Sequence, residues 1–197
     1  RKFTANIAKR KMDEYGHPDD AVTTVAPWPQ QTTVGPFKVG FLPMSHSIPE
    51  SSSLVIDVAG DRLIHSGDFK IDMTPGVGEP YDPELWADVS KDGVKALICD
   101  STNVFSQNPG RSEETVGPEI EKLLGTAEGM VVATTFASNV ARVKTLADAG
   151  ERAGRSVVLL GRAMKRMVEA SLETGVMKDF PPVVSPEEAR GIPRENL

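Results

Sequence analysis

At 197 residues the chain can bury a substantial core, and with 39% hydrophobic and 25% charged residues it has the composition of an ordinary soluble globular protein. No run approaches the ~18 apolar residues of a membrane-spanning helix. One cysteine, Cys99, excludes an intramolecular disulfide framework and fits a reducing, cytoplasmic setting. The net charge of −6 argues against a nucleic-acid partner, yet it conceals a local bias. Between residues 138 and 166 stand Arg142, Lys144, Arg152, Arg155, Arg162, Lys165 and Arg166, opposed only by Asp148 and Glu151. Such a run reads either as a solvated helix surface or as a phosphate-binding face.

In chain order, residues 3–15 predict a helix, with Ile7, Ala8 and Met12 on its apolar side and Gly16 as the stop. Residues 22–26 predict a strand, followed by Pro27-Trp28-Pro29. Residues 37–43 predict another, and 54–58 with 62–65 flank Ala59-Gly60-Asp61 as a hairpin. Residues 69–91, rich in proline and glycine, read as an extended surface connection, and 94–99 as a buried-type strand ending at Asp100. The rhythm then changes to helix 118–124, strand 130–134, helix 139–153, strand 156–160, and a helix carrying Met164, Met167, Val168 and Leu172 closed by Gly175. Strands alternating with helices of this length imply a parallel α/β unit. The natural cut falls near Asp100, giving portions 1–99 and 100–197. Arg1 at one end and Arg194-Glu195-Asn196-Leu197 at the other read as a piece of a longer protein.

Two loops carry the chemistry. His46 lies in Ser45-His46-Ser47-Ile48-Pro49-Glu50 after one strand, and Asp68 in His65-Ser66-Gly67-Asp68-Phe69-Lys70 after another. Imidazole and carboxylate delivered from strand ends are metal-site donors, although a loop histidine or a Gly-Asp pair is otherwise a plain turn. Gly67 allows the tight turn that would aim Asp68. Asp100-Ser101-Thr102-Asn103 is equally a turn or capping sequence, and Ser138 a plausible helix N-cap. His65 reads as structural or supporting and His17 as a surface residue. Ser138, Asn139 and Arg142 sit where a helix N-terminus could meet an anion, and Arg162 follows a strand end where α/β sheets bind ligands. Lys165 and Arg166 read as a solvated face.

These loops occur in order with Cys99-Asp100-Ser101-Thr102-Asn103, Thr135-Phe136-Ala137-Ser138-Asn139-Val140-Ala141-Arg142 and Gly161-Arg162-Ala163-Met164. The ordered set, spanning essentially the whole chain, resembles the bacterial ribonuclease J family, nucleases with a metallo-β-lactamase fold and a β-CASP domain. The resemblance implies an α/β architecture: the second half of a lactamase αββα sandwich over 1–99, then the first part of a Rossmann-like β-CASP domain over 100–197. It implies His46 as a metal ligand and Asp68 as the carboxylate bridging two zinc ions, with a catalytic part for Asp68 and for Asp100. It implies RNA contacts by Ser138, Asn139, Arg142 and Arg162. The activity implied is zinc-dependent hydrolysis of RNA phosphodiesters, 5′-exonucleolytic with endonucleolytic cleavage as a second mode, in a cytoplasmic enzyme that can be a homo-oligomer and has no membrane partner.

The family's His-x-His-x-Asp-His motif and its later β-CASP histidines do not occur among the 197 residues, so the stretch alone is expected to be inactive. The rival readings are a lactamase-fold hydrolase of a small ester or thioester and a non-catalytic RNA-binding paralogue.

Overall fold

The computed structural model describes residues 1–108 and 110–197. Its centre is a five-stranded sheet in the order β1 (Gln31–Val34), β2 (Phe37–Pro43), β3 (Ser52–Val58), β4 (Asp61–His65) and β5 (Ala96–Ile98). The first four strands pair antiparallel, and β5 joins β4 in parallel, with Ile64 opposite Leu97. The β3–β4 hairpin turns on Ala59 and Gly60, both at positive φ (50° and 89°), the combination a two-residue type I′ turn demands. The strand expected at 22–26 does not form. Its Val/Thr run has no turn to bring back a partner, whereas Gln31–Val34 is folded onto β2 by Gly35-Pro36, with Val34 opposite Phe37.

One face of the sheet buries Leu42, Val55 and Ile64 against Val89, with Trp28, Leu85, Trp86 and Val94 around them. Val89, Leu85 and Trp86 belong to α2 (Pro83–Ser90), so the stretch 69–91 is not an extended connection throughout. Asp82 caps this helix, accepting the amides of Glu84 and Leu85 at 3.0 Å each, with Pro83 in its first turn. The buried-type strand expected at 94–99 is an exposed edge: Leu97 and Ile98 are more than half exposed, because among the described residues no strand pairs beyond β5.

Trp28 lies flat on β2. A Cβ built on Gly40 would stand 2.5 Å from its Cε3, and Arg62 covers the indole from 5.3 Å. Gly40→Ala is therefore expected to destabilise by about 1–3 kcal/mol through overpacking. Urea unfolding of the two proteins measures this, and an unchanged midpoint would mean the indole relocates freely.

The remaining helices are α1 (Lys2–Glu14), α3 (Gly117–Thr126), α4 (Val140–Arg152), α5 (Arg162–Thr174) and α6 (Pro186–Ala189). On α4 Val140, Val143 and Ala147 are buried on one face. On α5 Val168 turns inward, but Ala170 and Ser171 take the place expected of Leu172, which is exposed. Residues 130–134 and 156–160 are extended without forming a ladder. Among the described residues their backbone bonding comprises one parallel bridge, Val157 to Val183, the Val131 amide on the Leu197 carbonyl at 3.1 Å and the Ser156 amide on the Asn196 carbonyl at 2.7 Å. These residues lie at an open side, with Val132 and Leu160 exposed.

Helix α1 packs on α5, where Arg10 bonds Glu173 at 2.7 Å and Asn6 bonds the same carboxylate at 3.0 Å. Phe3 and Val77 share a core cluster with Val140, Val143 and Val168, so packing runs across residues 99 and 100. Among the described residues no helix is long and apolar enough to cross a membrane.

Candidate functional site

Strands β2, β4 and β5 run in one direction and β3 in the other, so the loops that follow β2, β4 and β5 gather at one edge of the sheet. Those loops carry His46, Asp68 and Asp100. Three buried serines hold them together. The Ser45 carbonyl accepts the Lys70 amide at 2.9 Å, which ties the His46 loop to the Asp68 loop. The Ser53 hydroxyl donates to the Ser66 carbonyl at 2.7 Å, and the Ser66 hydroxyl accepts the Asp100 amide at 2.8 Å. Burying a hydroxyl is tolerable only when it is hydrogen-bonded, and each of these is. Serine supplies both donor and acceptor in a small volume.

His46 is half-buried, with Ser47 Oγ 3.4 Å from its Nδ1. Asp68 is exposed, on a turn made by Gly67 at φ 63° and supported by the Gly67 amide donating to His65 Nδ1 at 3.1 Å. His65 thus has the supporting role its position suggests. Asp100 Oδ1 accepts the Thr102 hydroxyl at 2.6 Å and the Thr102 amide at 2.9 Å. These bonds hold its carboxyl below the ordinary carboxylate range, with the Phe69 amide and the His46 ring acting the same way. His46 and Asp100 therefore lie within electrostatic reach of one another, and Asp100 is also the turn-former its sequence allows.

The donors fit zinc in kind and fall short in number. The described residues contain no group of three or more His, Cys, Asp or Glu side chains placed to hold a metal ion. A tetrahedral zinc takes about four donors, so this stretch does not assemble a metal centre from its own residues.

In the second half the expected anion-facing residues separate. Asn139, not Ser138, caps α4, its side chain accepting the Arg142 amide at 3.0 Å. The Arg142 guanidinium is bidentate on Glu113, at 2.5 Å from Nε and 3.2 Å from Nη2. Lys144 pairs with Asp148 and Asp179, Arg152 with Glu121, and Arg166 with Glu14. Much of the basic run is thus neutralised from within. Arg162 opens α5, exposed, away from the cavity that His46, Asn139 and Arg142 line together. Asp72 and Glu113, both buried in the walls of that cavity, are not singled out by the sequence reading, since Asp72 meets the Glu113 amide 41 positions away and Glu113 meets Arg142 29 positions away.

Fold and site define an α/β protein joining a metallo-β-lactamase-type sheet edge to a β-CASP segment, and residues 128–197 match the family model for the ribonuclease J β-CASP domain. Ribonuclease J of Sinorhizobium meliloti is 37% identical over 195 residues, covering 99% of this chain and 35% of the relative. That of Thermus thermophilus is 32% identical over 194 residues, covering 98% and 34%. That of Corynebacterium glutamicum is 38% identical over 144 residues, covering 73% and 20%. The chain is similar to ribonuclease J along nearly its whole length, and it spans about a third of the length of the first of these relatives. A crystal structure of a protein of unknown function from Enterococcus faecalis V583 shares the fold, with a TM-score of 0.63 at 16% identity, covering 98% of this chain and 50% of that one.

Proposed function

We propose that this chain acts as part of a zinc-dependent ribonuclease that hydrolyses RNA phosphodiesters, 5′-exonucleolytically and with endonucleolytic cleavage as a second mode. The observation that carries the reading is the meeting of the His46, Asp68 and Asp100 loops at one sheet edge, in a chain alike to enzymes named ribonuclease J along nearly its whole length. In this reading His46 and Asp68 are metal ligands, Asp100 stands beside them, and further donors come from outside these 197 residues. Bound zinc supplies charge stabilisation and an activated water to phosphodiester hydrolysis. The chain's part is to hold an imidazole and two carboxylates on a serine-stitched edge.

RNA is the partner in this proposal, with Ser138, Asn139 and Arg162 facing its backbone. Arg142 is already paired with Glu113 and is not among these contacts. A cytoplasmic location and a homo-oligomeric state belong to the same proposal and rest on the resemblance. The 197-residue stretch alone is inactive in this account, since two ligands cannot hold two zinc ions firmly.

The test is made on the full-length protein. Asp68→Ala is expected to lower RNA cleavage by at least about a hundredfold and to remove tightly bound zinc while the fold persists, and His46→Ala to weaken zinc binding less. Cleavage at the unaltered rate by Asp68→Ala would refute the assignment. RNA binding without cleavage by the unaltered protein would favour a non-catalytic paralogue.

A further inference from the structure

A cavity of about 210 Å³ lies between the His46 loop and the start of α4, and its charged walls are paired across it. Lys70 Nζ is 3.1 Å from Asp72, and Arg142 grips Glu113 with two nitrogens. Asp72 and Glu113 are only 3% and 7% exposed. Carboxylates so far from water persist only when hydrogen bonds replace hydration. For Asp72 they do: Oδ1 accepts the Thr74 amide at 3.0 Å and Oδ2 the Glu113 amide at 2.9 Å. The Asp72 amide in turn donates to Ser45 Oγ at 3.1 Å, and the Ser45 hydroxyl donates to the Lys70 carbonyl. A continuous chain of bonds thus runs from the first turn of α4, through Glu113 and Asp72, to the residue preceding His46.

We propose that Asp72, Glu113 and Arg142 form a positioning unit that fixes the His46 loop against the Asp68 loop and the start of α4, with Arg142 a brace inside it rather than a contact to RNA phosphate. The inference rests on reading His46 and Asp68 as site residues. Two cations and two carboxylates cancel within the cavity, so it holds no net charge to attract a phosphate. A phosphate taking Arg142 would also leave Glu113 buried without its cation, the arrangement that costs most in a buried pair. A fully bonded buried network, by contrast, specifies a single geometry, which is what a ligand loop needs.

The experiment uses the full-length protein with Arg142→Lys, Glu113→Gln and the two combined. Amide exchange at Lys70 and Asp72 reports the brace without any activity and is expected to speed up by about tenfold in each variant. Steady-state cleavage of single-stranded RNA at two salt concentrations reports the consequence. There kcat is expected to fall by about 10- to 100-fold while KM and the salt slope hold, as for a misplaced reacting group. The combined variant is expected to be no worse than Glu113→Gln alone, because one unit has been broken once.

Unchanged kcat, with or without faster exchange, overturns the positioning role. A raised KM with a salt slope reduced by about one, exchange unchanged, overturns it in favour of a phosphate contact. Should the unaltered protein fail to cleave RNA, the functional reading falls, and amide exchange still decides the brace. Should Glu113→Gln fail to fold, Arg142→Lys, which keeps a cation, carries the same comparison.

Discussion

Arg155→Ala is expected to destabilise the protein by roughly 3–5 kcal/mol, a large effect for one residue. Arg155 is buried, and its guanidinium spends itself on backbone carbonyls: Leu124 from Nε at 3.2 Å, Gly129 and Leu197 from Nη1 at 2.8 Å each, and Ala127 from Nη2. No carboxylate pairs with it among the described ion pairs. Leu124 lies in the last turn of α3, whose final carbonyls have no partners within the helix and carry its negative dipole end. The helix leaves through Ala127 in an extended conformation, without the left-handed glycine that commonly closes a helix. The arginine fork does that work from 31 positions away.

Hydrogen bonds from a charged donor contribute about 1.5–3 kcal/mol each, and water reaching the vacated space returns part of the sum. Arg155→Lys should recover less than half, since an ammonium cannot span four oxygens with a planar fork. Urea unfolding of the three proteins measures the order. A loss below about 1 kcal/mol for Arg155→Ala would show that water serves the carbonyls as well as the guanidinium does.

The sequence speaks clearly where local rules decide. The Ala59-Gly60 turn, the apolar face of α4 and the Gly175 stop after α5 each depend on residues within a few positions. The placement of His46 and Asp68 on loops after strands is of the same kind, because strand alternation and Gly67 are local signals. Helix α2 could have been found from Asp82-Pro83-Glu84, a start signal hidden by the prolines and glycines around it. What could not be found depends on the third dimension. Leu97 and Ile98 read as buried because apolar runs usually are, yet their exposure is set by what lies beyond β5. The basic run reads as a stripe because its partners Glu113, Glu121 and Glu14 stand far off in the chain. Asp72 is the extreme case, a buried carboxylate that binds its near neighbours Lys70 and Thr74 but also needs the Glu113 amide from 41 positions away.

That environment leads to a pH dependence with a definite sign. Burial alone would raise the Asp72 carboxyl, but the Ser112 hydroxyl, the amides of Glu113 and Thr74 and the Lys70 ammonium together outweigh it and bring the group from 3.8 to about 2. A carboxyl with a lowered folded-state pKa contributes stability that is complete above its unfolded pKa and is lost as pH falls through the folded one. From these two values the contribution is about 2 kcal/mol above pH ~4, and it disappears between about pH 4 and pH 2. Asp72→Asn removes the titration and leaves a second defect: its amide would present N–H either to the Thr74 amide or to the Glu113 amide and Lys70, all of them donors. The variant should therefore be less stable at neutral pH, and its deficit against the unaltered protein should stay flat down to about pH 5. Below that, the deficit should shrink by about 2 kcal/mol as the unaltered protein loses its advantage. Urea unfolding of both proteins at several pH values between 7 and 2 gives this difference directly. A deficit constant over the whole range would mean that Asp72 takes up its proton in the folded protein as readily as in the unfolded chain, and that its hydrogen bonds do no more than offset its burial.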